Sequence, residues 1–436
     1  MMLNHIRRMR HALATVCVSV LILGMSFDAL SAPVVIQMAL LLRATGREWQ
    51  HAVIEEFHKE QDRIRVELVG SADGLRYGQL QVLLVAGEAP HIIFQDPNNL
   101  LNWARQGFLV DLAPYLKREP RNSPFNDFFD ITWIFYTLND KIWAVPMDLQ
   151  VGGILYNEDA FAEAGQAPPW PGWTWEDLSR VAHRLTKRTN PESLPDRWGM
   201  REPEWYFWWQ AIWHYGGSLV DNWADPTAFT GDAKEVKDAL RMYRDMVRAG
   251  VMAPPGTSPD NTVMSVVAKG TSAMALGHSL WIQAAAPLAA EYQTNWNVAF
   301  LPRGPAGNTP VGNAIGWSLV KEAGNTEEAL EVLRYFSGPK AMEFAVQIRQ
   351  GEILPHQPTM VRTWLRTQAV PSNRSIFLEA LPSLRPLPLI EDSYKNIVSR
   401  AAYDFWIDKI SEDQAIENMR IGITRGIEAN RAPGAN

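Results

Sequence analysis

Val34-Val35-Ile36-Gln37-Met38-Ala39 opens the reading of the fold: six residues, nearly all apolar, as in a buried strand. Trp49, Val53 and Phe57 follow at four-residue spacing, which puts them on one face of a helix. Ile64, Val66 and Leu68 then alternate with Arg65 and Glu67, the pattern of a second strand. Strand, helix, strand is the unit of a parallel α/β sheet, because parallel neighbours need a crossover and a helix supplies it.

The alternation continues outward. Leu80 to Ala86 reads as a helix ending at Gly87, His91-Ile92-Ile93-Phe94 as a short strand, and Leu100 to Arg105 as a helix stopped at Gly107. Lys141 to Pro146 and Gly153 to Tyr156 read as two strands. Thr174 and Asp177 have the spacing of a capping box, with Asp in place of Glu or Gln, ahead of an apolar face of Trp175, Leu178, Val181, Ala182 and Leu185. Asp232 and Glu235 begin a helix that Gly250 ends. Ser272 to Leu276 and Trp317 to Val320 are expected strands, Thr326 to Phe336 and Tyr394 to Asp408 expected helices.

Composition agrees with a folded, multi-domain chain. There are 436 residues, 47% hydrophobic and 20% charged, enough for two or three domains with real cores. The net charge of −7 and the scattered Lys and Arg exclude a nucleic-acid reader. The 18 tryptophans are the anomaly, and nine of them fall between Trp170 and Trp223. Such a concentration of aromatic surface calls for core packing or a ligand.

The N-terminus reads as an export signal. Arg7, Arg8 and Arg10 precede an apolar run from Ala12 to Met25, too short to span a bilayer comfortably. Ala29 and Ser31 supply small residues for cleavage after Ser31. Removal of residues 1–31 leaves 38 basic and 47 acidic residues, a net charge of −9, and takes away Cys17, the one cysteine. An exported chain without thiols must hold together by packing, which suits a bacterial periplasm better than a bridge-rich secreted scaffold.

Familiar catalytic patterns are missing. There is no GxxxxGK[ST] loop, no GxGxxG and no HExxH. His51 and His58 are two helical turns apart, too far for one metal. Gly277-His278-Ser279-Leu280-Trp281 approaches a nucleophile elbow but ends in Trp where the sharp turn needs Gly. No catalytic residue, cofactor or metal site is therefore expected.

The order of segments resembles the periplasmic solute-binding proteins of ABC importers, in particular the carbohydrate-binding family that includes the maltose-binding protein. Ala86-Gly87-Glu88-Ala89-Pro90-His91-Ile92-Ile93 resembles that family's AGxxPDII stretch, with His91 where Asp is usual. Gln106 to Leu112 is similar to its GxLxxL segment. Asn139 to Pro146, then Leu155-Tyr156-Asn157-Glu158-Asp159-Ala160-Phe161, resemble its GKxYxxP…xYNKDxF run, with Asp140 for Gly. The Thr174 helix start, Lys269 to Met274 and Gly351-Glu352-Ile353-Leu354-Pro355 fit as well. The resemblance implies two α/β lobes, each a mostly parallel sheet flanked by helices, with ligand in the cleft between them. It implies a first lobe of residues 32–147 and 311–356 and a second of 148–310 and 357–436. It also implies a monomer that captures a carbohydrate by hinge closure and delivers it to permease subunits in the inner membrane.

Carried over by position, the resemblance puts ligand contacts at Arg43, Thr45 and Arg47 after the first strand and at Gln95 and Asp96 after Phe94. Further contacts fall at Asp148 and Gln150 in the hinge, at Tyr206 and Trp209 ahead of Gly216-Gly217, and at Trp281 in a turn after a strand. Trp317 and Tyr394 match more loosely. Flat rings suit the C–H faces of a pyranose, and bidentate polar groups suit its hydroxyl rim. Each has a plainer reading: Arg43 and Arg47 as solvated charges, Trp213 and its helical neighbours as core. Two alternatives to a sugar importer stay open. One is a secreted carbohydrate-active enzyme using carboxylates such as Glu202 and Glu204; the other is an importer for a non-sugar ligand such as a glycerophosphodiester, which would suit Arg43 and Arg47.

Overall fold

The computed structural model describes residues 32–40, 48–70, 75–203, 206–257, 263–348, 353–366 and 371–431. The expected signal segment, residues 1–31, lies outside them. β1 (Val34–Ala39), α1 (Glu48–Glu60) and β2 (Ile64–Val69) form the expected unit, with β1 and β2 parallel from Val34 opposite Ile64 to Ala39 opposite Val69. Trp49, Val53 and Phe57 on α1 are all buried. α2 (Tyr77–Ala86) ends at Gly87, β3 (Ile92–Gln95) joins the other side of β1 in parallel, and α3 (Pro97–Arg105) follows.

A small hairpin, β4 (Thr137–Leu138) with β5 (Lys141–Ile142), leads into β6 (Val145–Asn157), whose thirteen residues are all buried. The sequence suggests two strands here, one stopping at Pro146. The structure makes one, because Pro146 is its second residue and the ladder shifts register directly afterwards, between Pro146 and Asp148, where a missing N–H is tolerated. Helices α4 (Trp175–Leu185), α5 (Trp209–His214) and α6 (Lys234–Arg248) follow. The Thr174–Asp177 box that opens α4 is formed: Thr174 N donates to Asp177 Oδ2 at 2.9 Å and Asp177 N to Thr174 Oγ1 at 3.1 Å. Then come β7 (Met274–His278), α7 (Ile282–Glu291) and β8 (Trp296–Ala299). The chain returns through β9 (Val311–Leu319) and α8 (Thr326–Phe336), and closes with β10 (Arg385–Pro386), α9 (Asp392–Trp406) and α10 (Glu412–Arg431).

The strand order is β2-β1-β3-β9-β6-β7, with β8 also on β6 and β10 on β9. β6 is the crossing strand. Val145 to Val151 pair with β9, and Gly152 to Asn157 pair with β7 and β8. The expected parallel pairing is found in β2-β1-β3 and between β10 and β9, whereas β3 pairs with β9 antiparallel. Around β6 every pair is antiparallel. The reason is that β7 and β8, joined by α7, run alike on either side of a strand that arrives from the other half. Gly152 allows the exchange of partners, because a Cβ there would lie 2.8 Å from Gln210 Oε1.

The last helix was not visible in the apolar pattern. α10 packs on α9, which packs on α6. A Cβ on Gly422 would lie 3.2 Å from Tyr394 O, and one on Gly426 2.3 Å from Ile390 Cγ2, so the two glycines let α10 approach the start of α9.

His214, at the end of α5, ties three segments. Its Nε2 lies 2.8 Å from Thr309 O, and its Nδ1 accepts from Trp175 Nε1 at 3.2 Å. The ring is fully buried, and burial lowers its pKa from 6.5 to about 4, against the opposing pull of the Thr309 carbonyl. The unfolded chain therefore binds a proton between pH 6.5 and pH 4 that the folded chain refuses. The stability this neutral ring confers is complete above pH 6.5 and is lost as the pH falls toward 4, an effect of about 3 kcal/mol. His214→Gln, which keeps a donor for Thr309, is expected to lower stability at pH 7 yet flatten its fall between pH 6.5 and 4. Urea melts across that range check this.

Candidate functional site

The two crossing strands carry polar groups where their ladders are interrupted. At the register shift in β6, the fully buried Asp148 accepts from Ile315 N at 2.9 Å. Where β6 changes partners, Ser279 Oγ accepts from Val151 N at 3.2 Å. Gln210 Oε1 accepts from Val311 N at 3.2 Å where β9 begins. Backbone donors left over by the crossing are thus satisfied by side chains.

Two residues along from Asp148, on the same face of β6, Gln150 stands opposite Asn313 of β9, and Asn313 Nδ2 donates to Gln150 Oε1 at 3.5 Å. These two amides face a cavity of about 210 Å³. Asp96 and Asn98 border it from the β3–α3 turn, and Tyr206 and Phe207 from the segment entering α5. Val311 and Leu387 complete its apolar side. Asp96 caps α3, its Oδ1 accepting from Asn98 N at 2.7 Å. The cavity therefore combines one carboxylate, three amides and two aromatic rings. Such a set can accept and donate to hydroxyls on its rim while covering an apolar face. No group of metal-ligating side chains occurs among the described residues.

A larger groove of about 630 Å³ runs between α4 and α6. Three of its charged groups are turned to neighbours, Arg180 to Asp177, Arg184 Nη1 to Gln166 Oε1 at 3.2 Å and Asp245 Oδ1 to Arg244 Nη2 at 3.4 Å, and it lies away from the crossing of β6. The smaller cavity at the crossing strands is the better candidate site.

Residues 42–343 match the profile of the bacterial extracellular solute-binding proteins, more than half of the chain. The chain belongs to that family. This solute-binding protein is 24% identical over 227 residues to the multiple sugar-binding protein of Streptococcus mutans, covering 48% of this chain and 47% of that one. It is 23% identical over 305 residues to an uncharacterised lipoprotein of Streptomyces antibioticus, covering 66% and 63%. The chain thus spans about half to somewhat under two thirds of the length of these relatives. Its fold is similar to a substrate-binding protein of Listeria monocytogenes solved with cycloalternan, at TM-score 0.77, 18% identity and coverage of 91% and 99%. It is similar to the sugar-binding protein MalE of Xanthomonas citri, at 0.76, 17%, 91% and 98%. UgpB of Mycobacterium tuberculosis, solved with glycerophosphocholine, gives 0.75, 17%, 92% and 100%. The fold is the two-lobed binding-protein fold.

The residues expected at the site are distributed as follows. Asp96, Gln150 and Tyr206 border the cavity. Gln95 lies just behind, fully buried, its Nε2 donating to Asp96 O at 2.7 Å. Asp148 serves the β6–β9 ladder. Trp209 is 1% exposed and meets the edge of Tyr206 at 6.2 Å. Trp281 is 7% exposed, wedged against Phe207 at 5.3 Å and His278 at 4.5 Å. Trp317 faces the core against Phe336, and Tyr394 packs on Gly426 of α10. Arg43, Thr45 and Arg47 lie outside the described residues, as does Glu204, whereas Glu202 is buried beside Arg201.

Asn98, Phe207 and Asn313 were not anticipated. Asn313 owes its position to the cross-strand register with Gln150, which no local pattern encodes. Asn98 could have been found from the Asp96-Pro97 helix start, which turns the following residues toward the strand end. Trp281→Ala is expected to destabilise the unliganded protein by about 3–5 kcal/mol, because it empties a packed volume beneath Phe207. Chemical denaturation without ligand measures it.

Proposed function

We propose that this solute-binding protein is the capture component of an ABC importer for a sugar, bound between the lobes where β6 and β9 cross. One observation carries the reading: Asp96, Asn98, Gln150 and Asn313 form a polar rim around a cavity faced by Tyr206 and Phe207. A volume of about 210 Å³ lies below the usual range of small-molecule pockets and suits a mono- or disaccharide better than a long oligomer. The sugar-binding names among its relatives and structural neighbours support the same class.

The reading includes export by cleavage after Ser31, residence in the periplasm as a monomer, and delivery to permease subunits in the inner membrane. It includes lobes of residues 32–147 with 311–356 and of 148–310 with 357–436; β6, which runs through the first boundary, changes partners between Val151 and Gly152. It also leaves Arg43, Thr45 and Arg47 as ligand contacts. The glycerophosphocholine complex among the neighbours favours one second reading, a phosphodiester ligand. Against it, the one cation beside the lining residues among the described residues, Lys395, stands behind them, bonded to Asn98 and over the Tyr206 ring, and does not itself line the cavity.

Thermal-shift screening of residues 32–436 against mono-, di- and oligosaccharides and glycerophosphocholine tests the class. A sugar at about 100 times its Kd should stabilise by roughly 2.7 kcal/mol. A shift with glycerophosphocholine alone would replace the sugar, and no shift with any compound would end the reading. With the stabilising sugar in hand, Gln150→Ala is expected to weaken binding about tenfold by calorimetry, since a hydroxyl would lose its partner, with little change in the unliganded melting point.

A further inference from the structure

α3 is fastened at both ends to the opposite half of the molecule. At its start, Asn98 Oδ1 accepts from Lys395 Nζ of α9. Lys395 is fully buried, and its ammonium also lies over the ring of Tyr206, 5.3 Å from the centroid. At its end, Arg105 Nη1 donates to the carbonyl of Asn430 on α10, and Arg105 Nη2 lies 3.1 Å from Asp225 Oδ1. The receiving side is itself braced. Asn430 Nδ2 donates to Leu389 O at 2.6 Å, and Leu389 N to Trp223 O at 2.8 Å. α3 packs on β9, whereas α9 and α10 pack together and α9 packs on α6. Both fastenings therefore span the cleft, and the outer one lies beyond the cavity-lining residues.

We propose that α3 is a two-point latch that sets how readily the lobes part, and that Lys395 is the positioning residue that joins closure to the site. Resting on the reading of this cavity as the ligand site, the proposal explains a costly choice. A buried ammonium is expensive unless its bonds are made. Here its partners include Asn98 and Tyr206, one cavity-lining group from each half. Closing the lobes brings the two together around one charge. Opening them separates Asn98 from Lys395 and exposes the ammonium to water, where it is solvated again. The exposed Arg105 contact adds a smaller bias at the other end, of the size of a surface charge-assisted bond. Because only closed molecules hold ligand tightly, the latch scales apparent affinity through the closed fraction.

The test needs no ligand, so its outcome is independent of which solute binds. Residues 32–436 are treated briefly with an acetylating N-hydroxysuccinimide ester, and the rate at each lysine is read by peptide mass spectrometry. In the wild type Lys395 should react far more slowly than exposed Lys59 and Lys234. Arg105→Ala and Asp225→Ala should each speed reaction at Lys395 about fivefold, leaving Lys59 and Lys234 unchanged, and Arg105→Lys should restore much of the protection. Because Arg105 is exposed, these variants are expected to melt close to the wild type. A wild-type rate at Lys395 in Arg105→Ala and Asp225→Ala would overturn the latch. So would acceleration at Lys395 accompanied by a matching fall in melting temperature, which would mark general loosening instead.

Discussion

β6 must leave one sheet half and enter another without stranding its backbone in the interior. All thirteen of its residues are buried, so every interrupted rung would leave an N–H or C=O away from water. The crossing is possible because Asp148, Ser279 and Gln210 supply the missing acceptors to Ile315, Val151 and Val311. Gly152 permits the approach of Gln210. The cavity exists at this place for the same reason. Where strands exchange partners, the flanking elements diverge and leave a crevice, and the side chains on that stretch are polar because the backbone needs them.

The tryptophans serve the packing around this crossing more than the surface of the site. Trp175, Trp208, Trp209 and Trp406 are all fully buried. Trp208 meets Trp209 at 5.7 Å and Trp406 at 5.9 Å, and Tyr243 lies 5.6 Å from Trp175 and 4.7 Å from Trp406. They form one aromatic network joining α4, α5, α6 and α9. Tyr206 rests on this base through Trp209, Phe207 packs on Trp281, and the two present the rings that border the cavity. A chain whose single cysteine cannot close an internal disulfide can hold a binding surface still by such packing, since large rings lose little rotamer freedom for the area they bury.

A hinge needs compliance and a site needs rigidity, and the molecule divides the two. The aromatic base and the satisfied crossing strands are rigid. The contacts at the ends of α3 join groups from opposite sides of the cleft, so they can break without disturbing either core. Lys395 couples the two regimes because one charge touches a group from each.

Local patterns determined much by themselves. Alternation and four-residue spacing located β1, α1, β2 and α8, the last between the residues expected, Thr326 and Phe336. The Thr174–Asp177 box marked the start of α4 because capping is a bond between near neighbours in the chain. The segment order was enough to identify the family, and the family resemblance, carried over by position, pointed to Asp96, Gln150 and Tyr206, which border the cavity. What only the tertiary structure decided depends on partners far apart in sequence. The continuity of β6 through Pro146, its antiparallel neighbours, Asn313 opposite Gln150, Asn98 beside Lys395, and the burial of Trp209 and Trp281 are of that kind. Each rests on register or on packing between segments separated by tens to hundreds of residues, and no periodicity within one segment carries that information.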